Sequence, residues 1–164
     1  MTGSVITSDR PTRESFSKLV DECGARLQHA LVAALGPEVG PEAASEALAY
    51  GWEHWNRVGG MENPIGYLYT VGRNWGRRQF RQKRPVFPAP EVITESDPLV
   101  EPALPGALAE LSERQRVATV LIHGGGWTTA EVADLLRIDR GSVHKHAERG
   151  LGKLRAAMEV DLDA

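Results

Sequence analysis

Residues 128–154, with the sequence TTAEVADLLRIDRGSVHKHAERGLGKL, decide the fold because they predict two helices separated by a short turn. Thr128 is followed three residues later by Glu131, a capping-box signature for a helix start, and Asp139 can cap the helix after the turn. The apolar residues that would pack between these helices are Val132, Ala133, Leu136, Ile138 and Val143. This arrangement is typical of a helix-turn-helix, whose second helix enters the major groove of DNA.

The outward side chains of the second helix, together with Thr128, are the candidates for contacts to phosphates and base edges. They are Thr128, Arg140, Ser142, His144, Lys145, His146 and Arg149. Lys145 and Arg149 are four residues apart on one helical face, a spacing that can follow a phosphate backbone. The alternative is an ordinary pair of amphipathic helices with a solvated charged face. His144 and His146 project in different directions, which argues against a shared metal ion.

A second basic segment lies upstream, at the end of a helix predicted over residues 64–83. Its bases, with no acid among them, are Arg73, Arg77, Arg78, Arg81, Lys83 and Arg84. Asn74 can contact a base edge, and an exposed Trp75 or Phe80 can stack on an unpaired base. The alternative for each aromatic side chain is packing in the core. The combination indicates binding to a polyanion, and it suits DNA that is being opened.

The rest of the chain divides around a proline-rich linker. Residues 85–103 contain Pro85, Pro88, Pro90, Pro98 and Pro102, together with Glu91, Glu95, Asp97 and Glu101. This composition forbids a regular helix and favours an extended acidic tether. We therefore predict a disordered tail over residues 1–11, a first domain over 12–84, the linker over 85–103, and a second domain over 104–164. Helices are predicted over residues 12–35, 41–58 and 64–83 of the first domain, and the fold class is all-α.

Composition and absent motifs exclude several other classes of protein. The chain has 164 residues, a formal net charge of -3 and a single cysteine, Cys23, which rules out an internal disulfide and argues against a thiolate zinc site. We expect no cofactor. The sequence contains no P-loop, no Gly-x-Ser-x-Gly turn and no His-Glu-x-x-His motif, so we expect no enzyme activity. Its longest apolar run is too short to cross a bilayer, which predicts a cytoplasmic protein without membrane insertion.

Two segments of the chain resemble a known family, the bacterial sigma factors of the extracytoplasmic-function type, also called group four. The segment NPIGYLYTVGRN at residues 63–74 resembles the helix by which these proteins contact the minus-ten promoter element. LSERQRV at residues 111–117, followed by EVA at 131–133 and RGSV at 140–143, resembles their fourth conserved region. The resemblance covers residues 14–84 and 104–158 in the order that the family has.

The resemblance implies partners and roles for the residues already named. The helix over residues 41–58 would dock on core RNA polymerase, with Glu42, Glu46 and Glu53 on one face as docking residues or as a solvated face. The loop over residues 57–63 would capture a flipped base. Residues implied to bind the minus-ten element are Asn63, Tyr67, Arg73, Asn74, Trp75, Arg77, Arg78, Arg81 and Arg84. The helix from Arg140 would bind the minus-thirty-five element, and the acidic linker would pass through a cationic cleft of the polymerase. An anti-sigma protein is a further implied partner.

The docking helix departs from the family pattern. The family usually carries an aspartate near the start of this helix and then a Gln-Glu pattern, where this chain has AASEA at residues 43–47. The departure motivates an alternative hypothesis, a sigma-like DNA-binding regulator that does not form a productive holoenzyme with polymerase.

Overall fold

The computed structural model describes residues 11–80, 87 and 103–162, and every regular element in these ranges is a helix. The N-terminal helices are α1 (Arg13–Leu35), α2 (Val39–Glu53), α3 (Trp55–Val58) and α4 (Pro64–Phe80). The C-terminal helices are α5 (Leu104–Glu110), α6 (Glu113–Thr119), α7 (Thr129–Leu136) and α8 (Arg140–Leu162), with a π-helical turn (Val120–Gly124) after α6. The all-α fold class is confirmed.

The N-terminal helices pack around a shared apolar core in which α4 crosses α2 at very short distance. Leu27 and Leu31 of α1 and Leu68 of α4 are fully buried in this core. Gly72 makes the crossing possible, because a Cβ atom at this position would lie 2.8 Å from the carbonyl oxygen of Ala43. The basic end of α4 is thereby held at a fixed place on the surface of α2.

The helix predicted over residues 41–58 is two helices. The first begins two residues earlier than predicted, at Val39. It ends at Glu53, and His54 separates it from the single turn of α3. The ring nitrogen Nδ1 of His54 lies 3.0 Å from the carbonyl oxygen of Tyr50, in the last turn of α2. The backbone N–H of His54 bonds to the same carbonyl at 3.0 Å, so ring and backbone share one acceptor at the end of α2.

The two tryptophans of this region, Trp52 and Trp55, differ in burial although apolar residues of this size usually belong to the core. Trp55 is buried, and its Nε1 donates to Ser15 Oγ at 2.9 Å. Trp52 is 44% exposed and packs on Phe16 with a ring-centroid distance of 5.2 Å and an interplanar angle of 58°. Trp52 therefore forms part of the surface of the N-terminal helices.

The C-terminal helices begin where the capping signals predict. Ser112 with Gln115 and Thr128 with Glu131 both form complete capping boxes, at the starts of α6 and α7. Asp139 Oδ1 accepts a hydrogen bond of 2.9 Å from the backbone N–H of Ser142 in the first turn of α8. After Thr119, helix α6 widens into the π-helical turn over Val120–Gly124.

The N-terminal and C-terminal helices pack against each other and share one apolar core. This core extends without interruption from Leu27 and Leu31 of α1 to Val117 of α6 and Trp127. Helix α1 contacts α6 and the π-helical turn, and α4 contacts α7. We call this packing the closed arrangement. Of the predicted tail and linker, the structure describes only Pro11, Phe87 and Ala103, so the predictions for their other residues lie outside the described residues.

Among the residues described, no helix combines the length and the apolar character that crossing a bilayer requires.

Candidate nucleic-acid interface

Helices α7 and α8 form a helix-turn-helix held by buried apolar side chains. Val132 and Ala133 of α7 pack with Val143 and Ala147 of α8, and all four are buried. The turn between the helices contains Arg137 in the left-handed conformation, with φ 55° and ψ 46°. Its backbone N–H and that of the next residue both bond to the carbonyl oxygen of Ala133, which ends α7 and directs α8 away.

The outward face of α8 carries most of the candidate DNA contacts as exposed side chains. Arg140, His144, Lys145 and Arg149 are exposed. His144 Nε2 lies 3.2 Å from Glu148 Oε1 one turn later, so one acid on this face already has a neighbouring imidazole. The remaining arginine and lysine side chains give the face the positive charge that phosphate binding requires.

Three of the candidate residues in this region are engaged within the protein, two by hydrogen bonds and one by partial burial. Thr128 Oγ1 accepts from the backbone N–H of Glu131, and Ser142 Oγ donates to Asp139 Oδ2 at 2.6 Å. His146 is half-buried, and its Nδ1 atom is buried with no hydrogen-bond partner among the described residues. Burial, and then the charges of Arg114 and Arg149, lower the pKa of His146. Thr128 therefore caps α7, Ser142 is held by the capping residue Asp139 of α8, and the Nδ1 side of the His146 ring faces inward.

The second candidate surface, on α4, is partly occupied by the C-terminal helices. Arg73 Nε and Arg77 Nη2 each donate to one carboxylate oxygen of Glu113, the first residue of α6. The Glu113 side chain is 20% exposed and that of Arg73 30% exposed, so both charges are partly withdrawn from water. Asn74 and Arg78 are exposed beside them, and Trp75 is half-buried against the core. Arg81 and Arg84 lie outside the described residues.

Asn63 and Tyr67, at the start of α4, also have internal partners. Asn63 Oδ1 accepts from the backbone N–H of Gly66 at 2.8 Å, and its Nδ2 donates to the carbonyl oxygen of Asp134 in α7 at 2.7 Å. The hydroxyl groups of Tyr67 and Tyr50 are 3.2 Å apart. Asn63 therefore caps α4 and ties it to the helix-turn-helix.

The acidic residues expected to dock a basic partner lie at exposed positions of α2. Glu42, Glu46 and Glu53 are all exposed, and the exposed ring of Trp52 lies next to Glu53 in the chain. The structure thus places an apolar ring and three carboxylates on the surface of one helix.

Arg116, which lies within the LSERQRV segment at residues 111–117, is the most buried charged residue among those described. It is 2% exposed, and it donates to the carbonyl oxygens of Ala33 at 2.6 Å, Ala34 at 2.8 Å and Leu111 at 3.0 Å. The first two belong to the last turn of α1, whose carbonyls have no partner within the helix. Burial lowers the pKa of Arg116. The sole sequence signal is an arginine directly before the apolar run at residues 117–122.

A further pair that sequence reasoning missed joins α1 to α7. Arg26 Nη1 donates to Glu131 Oε1 at 3.0 Å, and its guanidinium lies 4.1 Å from the centre of the Trp127 ring. The hydrogen bond from Arg26, followed by that from the Thr128 backbone, lowers the pKa of Glu131 to about 2.

Three similarities to known proteins agree with this geometry. Residues 103–154, which contain α5 to most of α8, match the family model of sigma-70, region 4. The chain is 32% identical over 110 residues to RNA polymerase sigma factor CarQ of Myxococcus xanthus, covering 60% of this chain and 63% of CarQ. The chain therefore spans less than two thirds of that curated relative.

A solved structure shows a similar fold. The sigma factor RpoE from Bartonella quintana, determined in complex with the anti-sigma factor NepR, superposes with a TM-score of 0.66. The match covers 90% of this chain and 99% of that chain at 18% sequence identity.

Proposed function

We infer that this chain is a sigma factor of the extracytoplasmic-function type, which binds core RNA polymerase and directs it to promoter DNA. The observation that carries this proposal is the helix-turn-helix of α7 and α8, whose second helix presents Arg140, Lys145 and Arg149 to solvent within the region 4 match. Helices of this kind place such side chains against phosphates and base edges in the major groove. We assign α8 to the minus-thirty-five element.

Helix α4 is the proposed site for the minus-ten element. Its exposed Asn74 and Arg78 adjoin Arg73 and Arg77, which gives one helix end four groups able to contact phosphates or bases. Trp75 remains a candidate for stacking on an unpaired base only if the helix surface rearranges, since its ring is half-buried here. Promoter opening needs such a cationic surface beside the separated strands.

The polymerase contact is proposed for α2. Glu42, Glu46 and Glu53 offer exposed carboxylates to a basic partner, and Trp52 adds an exposed apolar ring. Aromatic side chains of this kind are frequent at the centre of protein interfaces. The protein itself performs no covalent chemistry in this proposal, because the polymerase supplies the reaction. It would act in the cytoplasm beside the polymerase, and an anti-sigma protein is a proposed regulator.

Transcription from a promoter library with core polymerase and purified protein tests this function. Initiation at a shared promoter motif is expected, and its absence across the library would reject the proposal. Arg149→Ala should weaken binding to the promoter duplex about tenfold and reduce the salt dependence by about one counterion. Arg155→Ala, an exposed arginine further along the same helix, is the matched control and should change binding less than twofold.

A further inference from the structure

One carboxylate of the C-terminal helices occupies two arginines of the proposed minus-ten site. Glu113 accepts from Arg73 Nε with one oxygen and from Arg77 Nη2 with the other. A phosphate group of DNA would bind the same guanidinium groups, because the planar fork of arginine N–H donors matches pairs of oxygens on a carboxylate and on a phosphate alike. The two ligands cannot hold these donors at the same time.

The contact belongs to a set of polar links that all cross between the N-terminal and C-terminal helices. Asn63 Nδ2 donates to the Asp134 carbonyl, and Arg26 pairs with Glu131. Arg116 donates to two carbonyl oxygens at the end of α1. Since each link joins residues on opposite sides of the closed arrangement, separating the two groups of helices would break them together.

We propose that Glu113 is an internal substitute for a DNA phosphate: in the closed arrangement it holds Arg73 and Arg77, and α4 binds DNA only after the C-terminal helices move away. This inference rests on the proposed function. Because Glu113 is part of the same chain, it competes with DNA at a high effective concentration. The apparent affinity of α4 for DNA then falls by the fraction of molecules in which the two arginines are released.

In this proposal, Glu113 prevents DNA binding by α4 but not by α8. Arg140, His144, Lys145 and Arg149 of α8 remain exposed in the closed arrangement. The closed protein can therefore present the face of α8 to duplex DNA while α4 is occupied. In this proposal, DNA binding by the two surfaces is sequential, with the α4 contact dependent on opening.

The buried guanidinium of Arg116 keeps the closed arrangement reversible. It satisfies the free carbonyls of α1, but its charge is removed from water and all three of its described hydrogen-bond partners are neutral carbonyls. Removing this charge from water offsets part of what the hydrogen bonds contribute, even with the negative charge of Glu113 nearby, because in an opened protein water can hydrate both sides. A partner that binds the separated helices can therefore shift the equilibrium.

The test uses the full-length chain without polymerase and a fluorescein-labelled single-stranded deoxyoligonucleotide of mixed sequence at low salt. Glu113→Gln is expected to tighten binding about fivefold, as the released fraction rises. Glu22→Gln, which makes the same charge change at an exposed site of α1, should alter binding less than twofold.

A double-mutant comparison separates this mechanism from a general electrostatic effect. In an Arg73→Ala, Arg77→Ala background, Glu113→Gln should no longer change the affinity, since there are no arginines to release. Spin labels at Ala25→Cys on α1 and Ala156→Cys on α8, in a Cys23→Ser background, should show a broader distance distribution for Glu113→Gln than for Glu22→Gln. Both label positions are exposed.

Equal oligonucleotide affinity of Glu113→Gln and the unmodified chain would overturn the inference, as would an effect that persists without Arg73 and Arg77. Transcription with core polymerase distinguishes failure of the internal competition from failure of the proposed function. Active holoenzyme with no effect of Glu113→Gln would reject the internal competition alone. Inactive holoenzyme, with no variant binding the oligonucleotide, would reject the proposed function and the inference with it.

Discussion

Replacing Arg116 by methionine should destabilise the closed arrangement by about 2–3 kcal/mol. Methionine keeps an unbranched apolar stem in the site, so the change removes mainly the guanidinium. Three carbonyl oxygens, those of Ala33, Ala34 and Leu111, then lose their donor inside residues that are at most 4% exposed. Each lost hydrogen bond of this kind is worth about 1 kcal/mol.

The burial of a charge in the native protein opposes this loss but does not cancel it. Replacing a whole buried polar group with apolar residues is often neutral, because donors and acceptors disappear together. Here only the donors disappear, and the buried acceptors remain unsatisfied. The net effect of Arg116→Met on the stability of the closed arrangement is therefore destabilising.

Urea unfolding followed by circular dichroism measures the effect. With a slope of about 2 kcal/mol per molar, Arg116→Met should lower the midpoint by about 1 M. Arg114→Met is the matched control, because Arg114 is exposed on the same helix, and it should shift the midpoint by less than about 0.3 M. Coinciding midpoints for the two variants would refute the assignment of Arg116 as a link between α6 and α1.

Three further changes probe the fold. The pKa of Glu131 is lowered to about 2 by Arg26, so its contribution to stability is complete above its ordinary value of 4.5 and is lost as the pH falls towards 2. Stability measured across this window should fall less steeply in Glu131→Gln, and the difference should be small because the side chain is 41% exposed. Arg137→Gly should stabilise the protein by about 0.5–1 kcal/mol in thermal melts, since glycine adopts the left-handed turn without strain; a lower melting temperature would contradict this reasoning. Gly72→Ala should cost about 2 kcal/mol in urea unfolding, because its Cβ would press on the Ala43 carbonyl, whereas Gly106→Ala, which meets nothing within 4 Å, should be neutral or slightly stabilising.

Helix starts were predictable because their signals are local. The capping pairs Ser112–Gln115 and Thr128–Glu131 span three residues each, and both form in the structure. Asp139 likewise meets the first turn of α8 within three residues. Side chains this close in the chain act before any tertiary packing, so their pattern in the sequence is sufficient evidence.

The contacts that decide the state of the candidate DNA site were not predictable in this way. Arg73 and Arg77 meet a carboxylate 40 and 36 residues away, and a run of arginines without a nearby acid contains no sign of it. Asn63 was expected to contact DNA, yet both ends of its amide have protein partners here. Which residues bind DNA remains a prediction, since these partners are properties of packing between distant segments.

The link between Arg116 and Ala33 spans 83 residues of chain, and this separation orders events during synthesis on the ribosome. The N-terminal helices emerge first and can fold while residue 116 has still to be added. Until then the last carbonyls of α1 are hydrated and the arginines of α4 have no internal carboxylate. A nascent chain therefore passes through a period in which the arginines of the proposed α4 surface are uncovered, before the later helices arrive and dock.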